Sequence, residues 1–452
     1  MFSSVYGPWT LLTDLGFIFL LMLIGKYLRV KIKVIQQLFI PPSLLAGFLG
    51  LALGPNGFGI IPFSNQLGTY AGVLIALVFA SLPLSSPKIR IKETVKRVGP
   101  IWAFSQLGML LQWALMGLFG AFVLSVIWPH LNEAFGILLP TGYYGGHGTA
   151  AAVGMSLENL GWAEGTSIGM TVATVGIVIS IVGGLAVVKV GARKGKTTFI
   201  KDFSELPDEL RTGLTPEEKR DNAGMSTTSS ISIDSLAFHM AFIFVIALGG
   251  YLASRGVKYY YPNFEIPIFS ASFVVGLCLK VIMDKVKITD YISTKQVERI
   301  GGTFTDLLVA FGVASIQLGV VVKYALPLAM MLVAGAIIVV FSVFYIGRRL
   351  LRTYEFERKA YAWSWWFGTM AMGIAILKII DPKMESKVID DYAMTYLPIA
   401  PVEIAVITFA PVAFMSGYGA WFSLILLMCV FLIFIFAKRM GWWKKQEATI
   451  GK

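Results

Sequence analysis

Glycine, threonine and histidine residues are concentrated in one short segment of an otherwise apolar chain. The segment LLPTGYYGGHGTAAAVG runs from Leu138 to Gly154, and His147 is its only ring that titrates near neutral pH. Glycines let backbone amides approach a ligand closely, and the first turn of a helix presents free N–H groups and a positive dipole end. This backbone favours a carboxylate, and its unpaired carbonyls suit a dehydrated Na⁺. The candidate substrate-binding residues here are Thr141, Gly145, Gly146, His147, Gly148 and Thr149.

A second group of polar residues lies in apolar stretches elsewhere in the chain. The sequence TYLPIAPVE ends at Glu403, and its prolines Pro398 and Pro401 predict an interrupted helix with freed carbonyl groups. Carboxylate, hydroxyl and carbonyl oxygens are hard ligands that suit Na⁺ or a substrate amine. A lone buried ion pair is the alternative for Glu403, and pairing near the membrane surface is the alternative for Asp306. The candidate ion-binding residues are Glu403, Thr171, Thr174 and Asp306.

His147 stands without the partner residues that catalysis or a transition metal would need. Neither an H-x-x-x-H pattern nor a pair of cysteines accompanies it. A turn residue hydrogen-bonded to backbone is the plain alternative for this histidine. We therefore predict no enzyme activity, no catalytic residue and no cofactor, and Na⁺ at Glu403 and at the tip carbonyls is the only metal ion expected.

The composition indicates a membrane protein. With 452 residues, of which 56% are hydrophobic and 14% charged, and a mean hydropathy of +0.73, the chain cannot bury its apolar surface in one soluble core. Apolar stretches of about 17 to 25 residues are long enough to span a bilayer. We predict an all-α polytopic membrane protein with spans near 9–29, 41–54, 67–86, 99–128, 163–190, 235–254, 266–282, 301–321, 326–347, 391–413 and 418–437.

The basic residues set the predicted orientation. The formal net charge is +12, and when the uncharged N-terminus is placed outside, all but Arg255, Lys258 and Lys323 fall on the cytoplasmic side. This holds only if the segments 132–157 and 360–378 each enter and leave the membrane on one face, as re-entrant hairpins. We therefore expect a multi-pass inner (plasma) membrane protein with a cytoplasmic C-terminus. Basic residues that mark topology exclude a nucleic-acid partner.

The two halves of the chain repeat each other. FIFLLMLIG, from Phe17, aligns with FIFVIALGG, from Phe242, and LGTYAGVLIALVFASLPL aligns with GGTFTDLLVAFGVASIQL. Each half holds five spans and one hairpin, so the second half enters the membrane inverted, as in many secondary transporters. The predicted domains are a first repeat (1–190), a cytoplasmic linker (191–234), a second repeat (235–413), and an extra span with a basic tail (414–452).

The first hairpin has a counterpart in the second half. Gly148 and Thr149 align with Gly368 and Thr369 of WSWWFGTMAMGIAI, which adds Gly368 and Thr369 to the candidate substrate-binding residues. Because one hairpin enters from each side, their tips are expected to meet near the middle of the membrane.

The motif GGHGTA, its pseudo-repeat and the IPP and IP elements before the second span of each half resemble the bacterial sodium/glutamate symporter family. The resemblance covers nearly all of residues 9–413. It implies Na⁺-coupled uptake of glutamate, a homodimer, and an elevator-like movement of the hairpin-bearing domain. The long linker, the eleventh span and the bulky second tip depart from the family plan.

Several alternatives remain open at the level of sequence. Neither hairpin tip contains the arginine that a second substrate carboxylate favours, so another small carboxylate is an alternative to glutamate. H⁺ can replace Na⁺ as the coupling ion. A channel or facilitator is a further class, although two opposed hairpins make a poor open pore.

Overall fold

The computed structural model describes residues 7–38, 40–85, 91–199, 212–220, 222, 224–229, 231–261, 266–381 and 384–443. Within these ranges the regular elements are all helices, and eight helices are long and apolar enough to cross a membrane. The prediction of an all-α polytopic membrane protein is confirmed.

Every span predicted for the first half coincides with a helix. Apolar runs between glycine and proline punctuation produce them, and Pro8 and Pro42 occupy first helical positions, where a missing N–H costs nothing. In chain order the main helices of the first half are α1 (Pro8–Lys31), α2 (Pro42–Leu53), α3 (Leu67–Ser85), α4 (Ile91–Phe119, prolonged to Ile127), α5 (Leu138–Tyr143), α6 (Gly146–Asn159) and α7 (Gly165–Arg193). Helices α5 and α6 belong to the first hairpin segment, and the other five are the predicted spans.

The second half follows the same plan. Three helices that coincide with predicted spans, α2, α9 and α10, are not among the eight apolar helices, so eleven spans stay a prediction. The main helices of this half are α8 (Ser235–Tyr260), α9 (Ile268–Lys285), α10 (Thr294–Ala314), α11 (Ala325–Phe341, prolonged to Leu350), α12 (Glu355–Phe367), α13 (Met370–Ile380), α14 (Val388–Met415) and α15 (Gly419–Arg439), and a short helix, Leu318–Lys323, precedes α11.

The chain forms two compact units, and each unit takes helices from both halves. Unit 1 comprises residues 1–36, 40–88 and 212–318, and unit 2 comprises residues 37–39, 89–211 and 319–452. Unit 1 contains α1–α3 and α8–α10, whereas unit 2 contains the four short helices of the two hairpin segments. All predicted site residues except Asp306 belong to unit 2.

Unit 1 contains two similar helix packings. A Cβ atom at Gly25 would lie 2.7 Å from the Pro42 carbonyl, and one at Gly250 would collide with Ser272, so α1 approaches α2, and α8 approaches α9, only because these positions lack side chains. Helix α3 packs against both α9 and α10.

A buried carboxylate fastens α1 within unit 1. Asp14 accepts hydrogen bonds from the Ser64 backbone N–H at 3.0 Å, the Ser64 hydroxyl at 2.5 Å and the Tyr70 hydroxyl at 2.8 Å. Three donors compensate a carboxylate that is only 1% exposed. Asp14 is therefore accounted for by structure alone.

The predicted interruption at Pro398 and Pro401 is wrong, because α14 runs without a break from Val388 to Met415. A proline removes one backbone hydrogen bond, and packing against neighbouring helices lets a buried span tolerate that loss. The prolines still withhold the usual N–H donors from the carbonyls one turn earlier.

Only part of the predicted linker lies in the described residues. Helix α7 extends to Arg193, and Glu217–Lys219 form a short 3₁₀ turn. In unit 2, the Thr198 N–H donates to the Glu357 carboxylate at 2.7 Å.

An ion pair joins the start of α7 to the end of a short helix, Leu318–Lys323, and the predicted topology places both on the outer face. The Lys323 ammonium donates to the Glu164 carboxylate at 2.7 Å. This hydrogen bond lowers the pKa of Glu164 and raises the pKa of Lys323.

We expect Glu164→Gln to lower the apparent melting temperature slightly at neutral pH and not at low pH. The folded-state pKa of Glu164 is depressed, so its contribution exists above its ordinary value of about 4.3 and is lost as pH falls through the folded-state pKa. The pKa of Lys323 is raised, so its contribution is complete below about 10.4 and is lost above that value. Thermal unfolding of both proteins between pH 3 and pH 9 is the measurement, with Lys323→Gln as the reciprocal control. A difference that is unchanged at pH 3 would contradict this account.

Candidate functional site

Two helices of unit 2 begin at glycine-containing turns. The first tip is the turn between α5 and α6, where Gly146 has a φ of +65°, a left-handed conformation that favours glycine. The second tip is the turn between α12 and α13, where Thr369 caps the helix by accepting a hydrogen bond from the Met372 N–H at 3.4 Å. Both tips therefore present the start of a helix.

The two tips touch each other. A Cβ atom at Gly146 would lie 2.9 Å from the Thr369 methyl carbon and 3.0 Å from the Gly368 carbonyl oxygen. No side chain fits between the two backbones at this point. The contact brings together Gly146, Gly368 and Thr369, three of the predicted substrate-binding residues.

Helix α7 holds both tips. Gly176 lies against the Phe367 carbonyl of the second tip and against the Tyr143 ring of the first, with no room for a side chain. The Ser180 hydroxyl donates to the Ser364 carbonyl at 2.8 Å, and the Ser364 hydroxyl donates to the Ser180 carbonyl at 3.3 Å. These contacts make α7 the common support of the site.

The hydrogen bonds of His147 define its tautomer. The Thr174 hydroxyl donates to the Met170 carbonyl at 2.8 Å, so its oxygen can only accept from the His147 Nε2 atom, 3.0 Å away. The proton therefore resides on Nε2, and Nδ1 keeps a free lone pair. Nδ1 is buried and has no partner among the described residues, so it can accept a hydrogen bond or coordinate a cation.

Glu403 is a buried carboxyl group without a basic partner. Its side chain is 7% exposed, and Oε2 makes no hydrogen bond within the described part of the chain. Tyr396, two turns earlier in α14, lies within hydrogen-bonding reach, and Tyr144 of the first tip is a further neighbour. No Lys or Arg of the described residues forms an ion pair with Glu403, and a buried charge without such a partner is costly.

Aromatic rings enclose the tips. The Tyr143 ring packs on Phe367 at 5.0 Å between centroids, and the Tyr144 ring packs on Trp365 at 5.1 Å. Trp366 packs against Phe104 of α4 with 4.6 Å between ring centroids and fills the space beside Gly108. These rings exclude water from the tips, which strengthens every polar interaction there.

The remaining predicted residues have more ordinary settings. The hydroxyls of Thr141 and Thr171 donate to carbonyls of their own helices, Leu138 and Ser167, at 2.7 Å each. Thr149 lies inside α6 rather than at its cap, and Gly145 and Gly148 flank the helix start. Asp306 is an exposed residue of α10 in unit 1, where its carboxylate can interact with Ser43.

The sequence reading missed the buried amides of α4. Gln112 is fully buried, and neither its nitrogen nor its oxygen has a partner among the described residues. It lies one turn from Gly108, which contacts Trp366, and one turn from Met116, whose carbonyl contacts Gly136 just before α5. Gln112 therefore faces both hairpin segments. A polar residue in a helix otherwise rich in Leu, Met and Trp was the available signal.

A second glutamine of α4 is also without partners but faces elsewhere. Gln106 lies between Trp102, which packs on Phe436 of α15, and Gly117, which lies against Ser423 of α15. Gln106 is therefore a matched control for Gln112.

Among the described residues, no three His, Cys, Asp or Glu side chains cluster in a way that could hold a metal ion.

The apolar helices and the paired helix starts define a polytopic helical membrane protein with an enclosed polar site. The family model for the sodium/glutamate symporter matches residues 10–358, so the chain belongs to the sodium/glutamate symporter family. At the level of this family, the activity is Na⁺-coupled symport of glutamate. The matched region includes the first tip and Gln112 and ends before the second tip and Glu403. No curated protein matches the chain.

We expect Gly146→Ala to destabilise unit 2. A left-handed φ costs a residue with a Cβ atom about 1–2 kcal/mol, and the new methyl would press on Thr369 and on the Gly368 carbonyl. Gly319→Ala is the control, because a Cβ atom there meets nothing within 4 Å. Thermal unfolding followed by intrinsic fluorescence should separate the two variants. Equal melting temperatures for the two variants would contradict the described tip contact.

Proposed function

We propose that this protein uses the Na⁺ gradient to take up glutamate or a related acidic amino acid, with the two tips of unit 2 as its binding site. Membership of the sodium/glutamate symporter family supports the reaction. The observation that carries the site is the contact between Gly146 and the Gly368–Thr369 turn, surrounded by buried polar groups without partners.

In this proposal, separate groups of the protein bind the α-carboxylate and the ammonium group of the substrate. The amide groups at the starts of α6 and α13 receive the α-carboxylate, since free N–H groups and the positive dipole end favour an anion. The lone pair of His147 Nδ1 accepts from the substrate ammonium. Thr174 supports this role by keeping the histidine proton on Nε2.

Glu403 is the proposed cation site. A carboxylate in an apolar environment is costly unless a positive charge accompanies it. Na⁺ bound to Glu403, with help from backbone carbonyls of the tips, supplies that charge, and release of Na⁺ destabilises the loaded site. Protonation of Glu403 would do the same, which keeps H⁺ coupling as the alternative. Thr171 and Asp306 contribute less in this proposal, because the Thr171 hydroxyl already bonds within its helix and Asp306 belongs to unit 1.

Gln112 is the proposed donor to the side-chain carboxylate of the substrate. The tips lack an arginine for this group, whereas the Gln112 amide is buried, unpaired and directed towards the hairpin segments. Two N–H donors on a neutral side chain can bind a carboxylate without a second buried charge. Substrates with one carboxylate would leave this amide unsatisfied, which favours acidic amino acids over other small carboxylates.

The transport cycle proposed here is of the elevator type. The inverted five-plus-five repeat, the two re-entrant hairpins, the outside N-terminus and the cytoplasmic C-terminus complete the proposal. The division into units supports it, because unit 2 contains both hairpin segments and unit 1 contains neither. A homodimer in the inner membrane, as the family resemblance implies, gives unit 1 a stationary role.

Proteoliposome uptake tests the function. We expect radiolabelled glutamate to accumulate against its gradient when Na⁺ is higher outside at equal pH, and not when only a pH gradient is imposed. Glu403→Gln should reduce Na⁺-driven accumulation about tenfold or more, because the cation loses a charged ligand. Glu385→Gln is the control, since Glu385 is an exposed carboxylate.

Three outcomes would decide against the proposal. Accumulation under a pH gradient alone would replace Na⁺ with H⁺. Unchanged Na⁺ dependence in Glu403→Gln would remove the cation from that residue. Flux that only equilibrates glutamate, with no ion requirement, would indicate a facilitator.

We expect Gln112→Leu to raise the KM for glutamate about tenfold or more, since a hydrogen bond to a charged group is lost. Competition by glutamine, which has no second carboxylate, should change little. Gln106→Leu, which removes an equally buried amide on the other side of α4, should leave the KM for glutamate unchanged. Equal losses for glutamate and glutamine binding would show that Gln112 acts only on the fold.

A further inference from the structure

One turn of α4 and four helix ends of unit 2 surround a cavity of about 650 Å³ that contains none of the proposed transport-site residues. Its walls come from Pro100 and Ile101 in the third turn of α4, the segment after α11, and the beginnings of α12 and α14. The fifth wall is the segment after α15, which includes Met440 and Trp442. The volume lies within the usual range of small-ligand sites, about 300–1,000 Å³.

Positive charge dominates the cavity. Three basic residues, Arg352, Arg358 and Lys387, line it together with one carboxylate, Asp391. Arg358 forms a buried ion pair with the Asp391 carboxylate at 2.6 Å and also donates to the Thr353 carbonyl at 2.8 Å. The charges of Arg352 and Lys387 therefore remain without a compensating carboxylate among the described residues.

The two uncompensated residues are held in place. Arg352 donates to the Gly441 carbonyl at 2.7 Å, which uses one of its five N–H groups. Lys387 has a left-handed φ of 54°, and the loop before it is fixed by Asp381, which accepts from the backbone N–H groups of Glu385 and Ser386 at 2.9 Å each. Both side chains are exposed at the rim.

We infer that this cavity binds the phosphate headgroup of an anionic membrane lipid. The helix ends around it are those that the charge pattern assigns to the cytoplasmic face, where anionic headgroups lie. Arginine and lysine side chains match phosphate, and the Trp442 and Met440 side chains offer apolar surface to the glycerol and acyl part of a lipid. The buried Arg358–Asp391 pair forms the rigid floor of the site. This inference does not depend on the proposed function.

The test is binding of lipid by the purified full chain. Thermal unfolding is followed in nanodiscs that contain phosphatidylcholine alone or increasing amounts of phosphatidylglycerol. We expect phosphatidylglycerol to stabilise the wild-type protein with saturation, and Arg352→Gln with Lys387→Gln to weaken the apparent affinity about 25-fold. That factor corresponds to about 1 kcal/mol for each basic residue.

A matched pair of substitutions separates this site from general surface charge. Lys285→Gln with Arg439→Gln removes the same number of charges from exposed helix ends that do not line the cavity. Retained affinity in this control supports the inference, and an equal loss overturns it. Inorganic phosphate is the second arm: if millimolar phosphate alone stabilises the wild-type protein and abolishes the lipid effect, the occupant is a free anion and the lipid assignment is wrong.

Discussion

The arrangement of unit 2 depends on one close approach of two backbones, at Gly146 and at the Gly368–Thr369 turn. The left-handed conformation of Gly146 directs the first turn of α6 at the start of α13. Gly176 of α7 must also lack a side chain, because a Cβ atom there would push both tips away from α7. Helix starts that would otherwise be incompatible with an apolar interior are thereby enclosed by other parts of the protein.

Polar groups without partners gather around this approach. His147 Nδ1, Glu403 Oε2, the Tyr144 hydroxyl and the Gln112 amide are buried and unsatisfied within the described residues of unit 2. Native proteins leave few such groups unpaired, so their presence on both hairpin segments supports the proposal that a ligand completes them. An amino acid and a cation together offer the donors, acceptors and charge that these groups need. In the proposed function, the empty site is costly, so binding of the substrate and the cation stabilises unit 2.

Much of the architecture could be predicted from the sequence, because a bilayer permits few solutions. Long apolar runs predict spans, and the repeat with its charge pattern predicts where the chain turns. The GGHGTA motif located the first tip, since glycines in an apolar run need a reason. The sequence could not predict which neighbouring groups in the folded protein compensate a lost backbone hydrogen bond or a buried carboxylate. Pro398 and Pro401 predict a break, yet α14 continues through them, and the apolar run of α1 does not reveal the three donors that satisfy the buried carboxylate of Asp14.

The different roles proposed for Gln112 and Gln106 also depend on neighbours that the sequence does not reveal. Both are glutamines of one helix, six residues apart, and composition cannot distinguish them. Only the neighbours at Gly108 and Gly117 reveal that one faces the tips and the other faces α15. Thr149 and Thr369 illustrate the point again: they align in the repeat, but only Thr369 caps a helix.

The tryptophans at the second tip provide the protein with an optical reporter. Trp365 packs against Tyr144 and Trp366 against Phe104, and both indoles are almost completely buried. Indole emission shifts to longer wavelength when its surroundings become more polar, so a solute that binds beside the tips would change the wavelength of their fluorescence. The chain has nine other tryptophans. In a variant that keeps only Trp365 and Trp366, the emission wavelength would report whether a solute is bound at the tips.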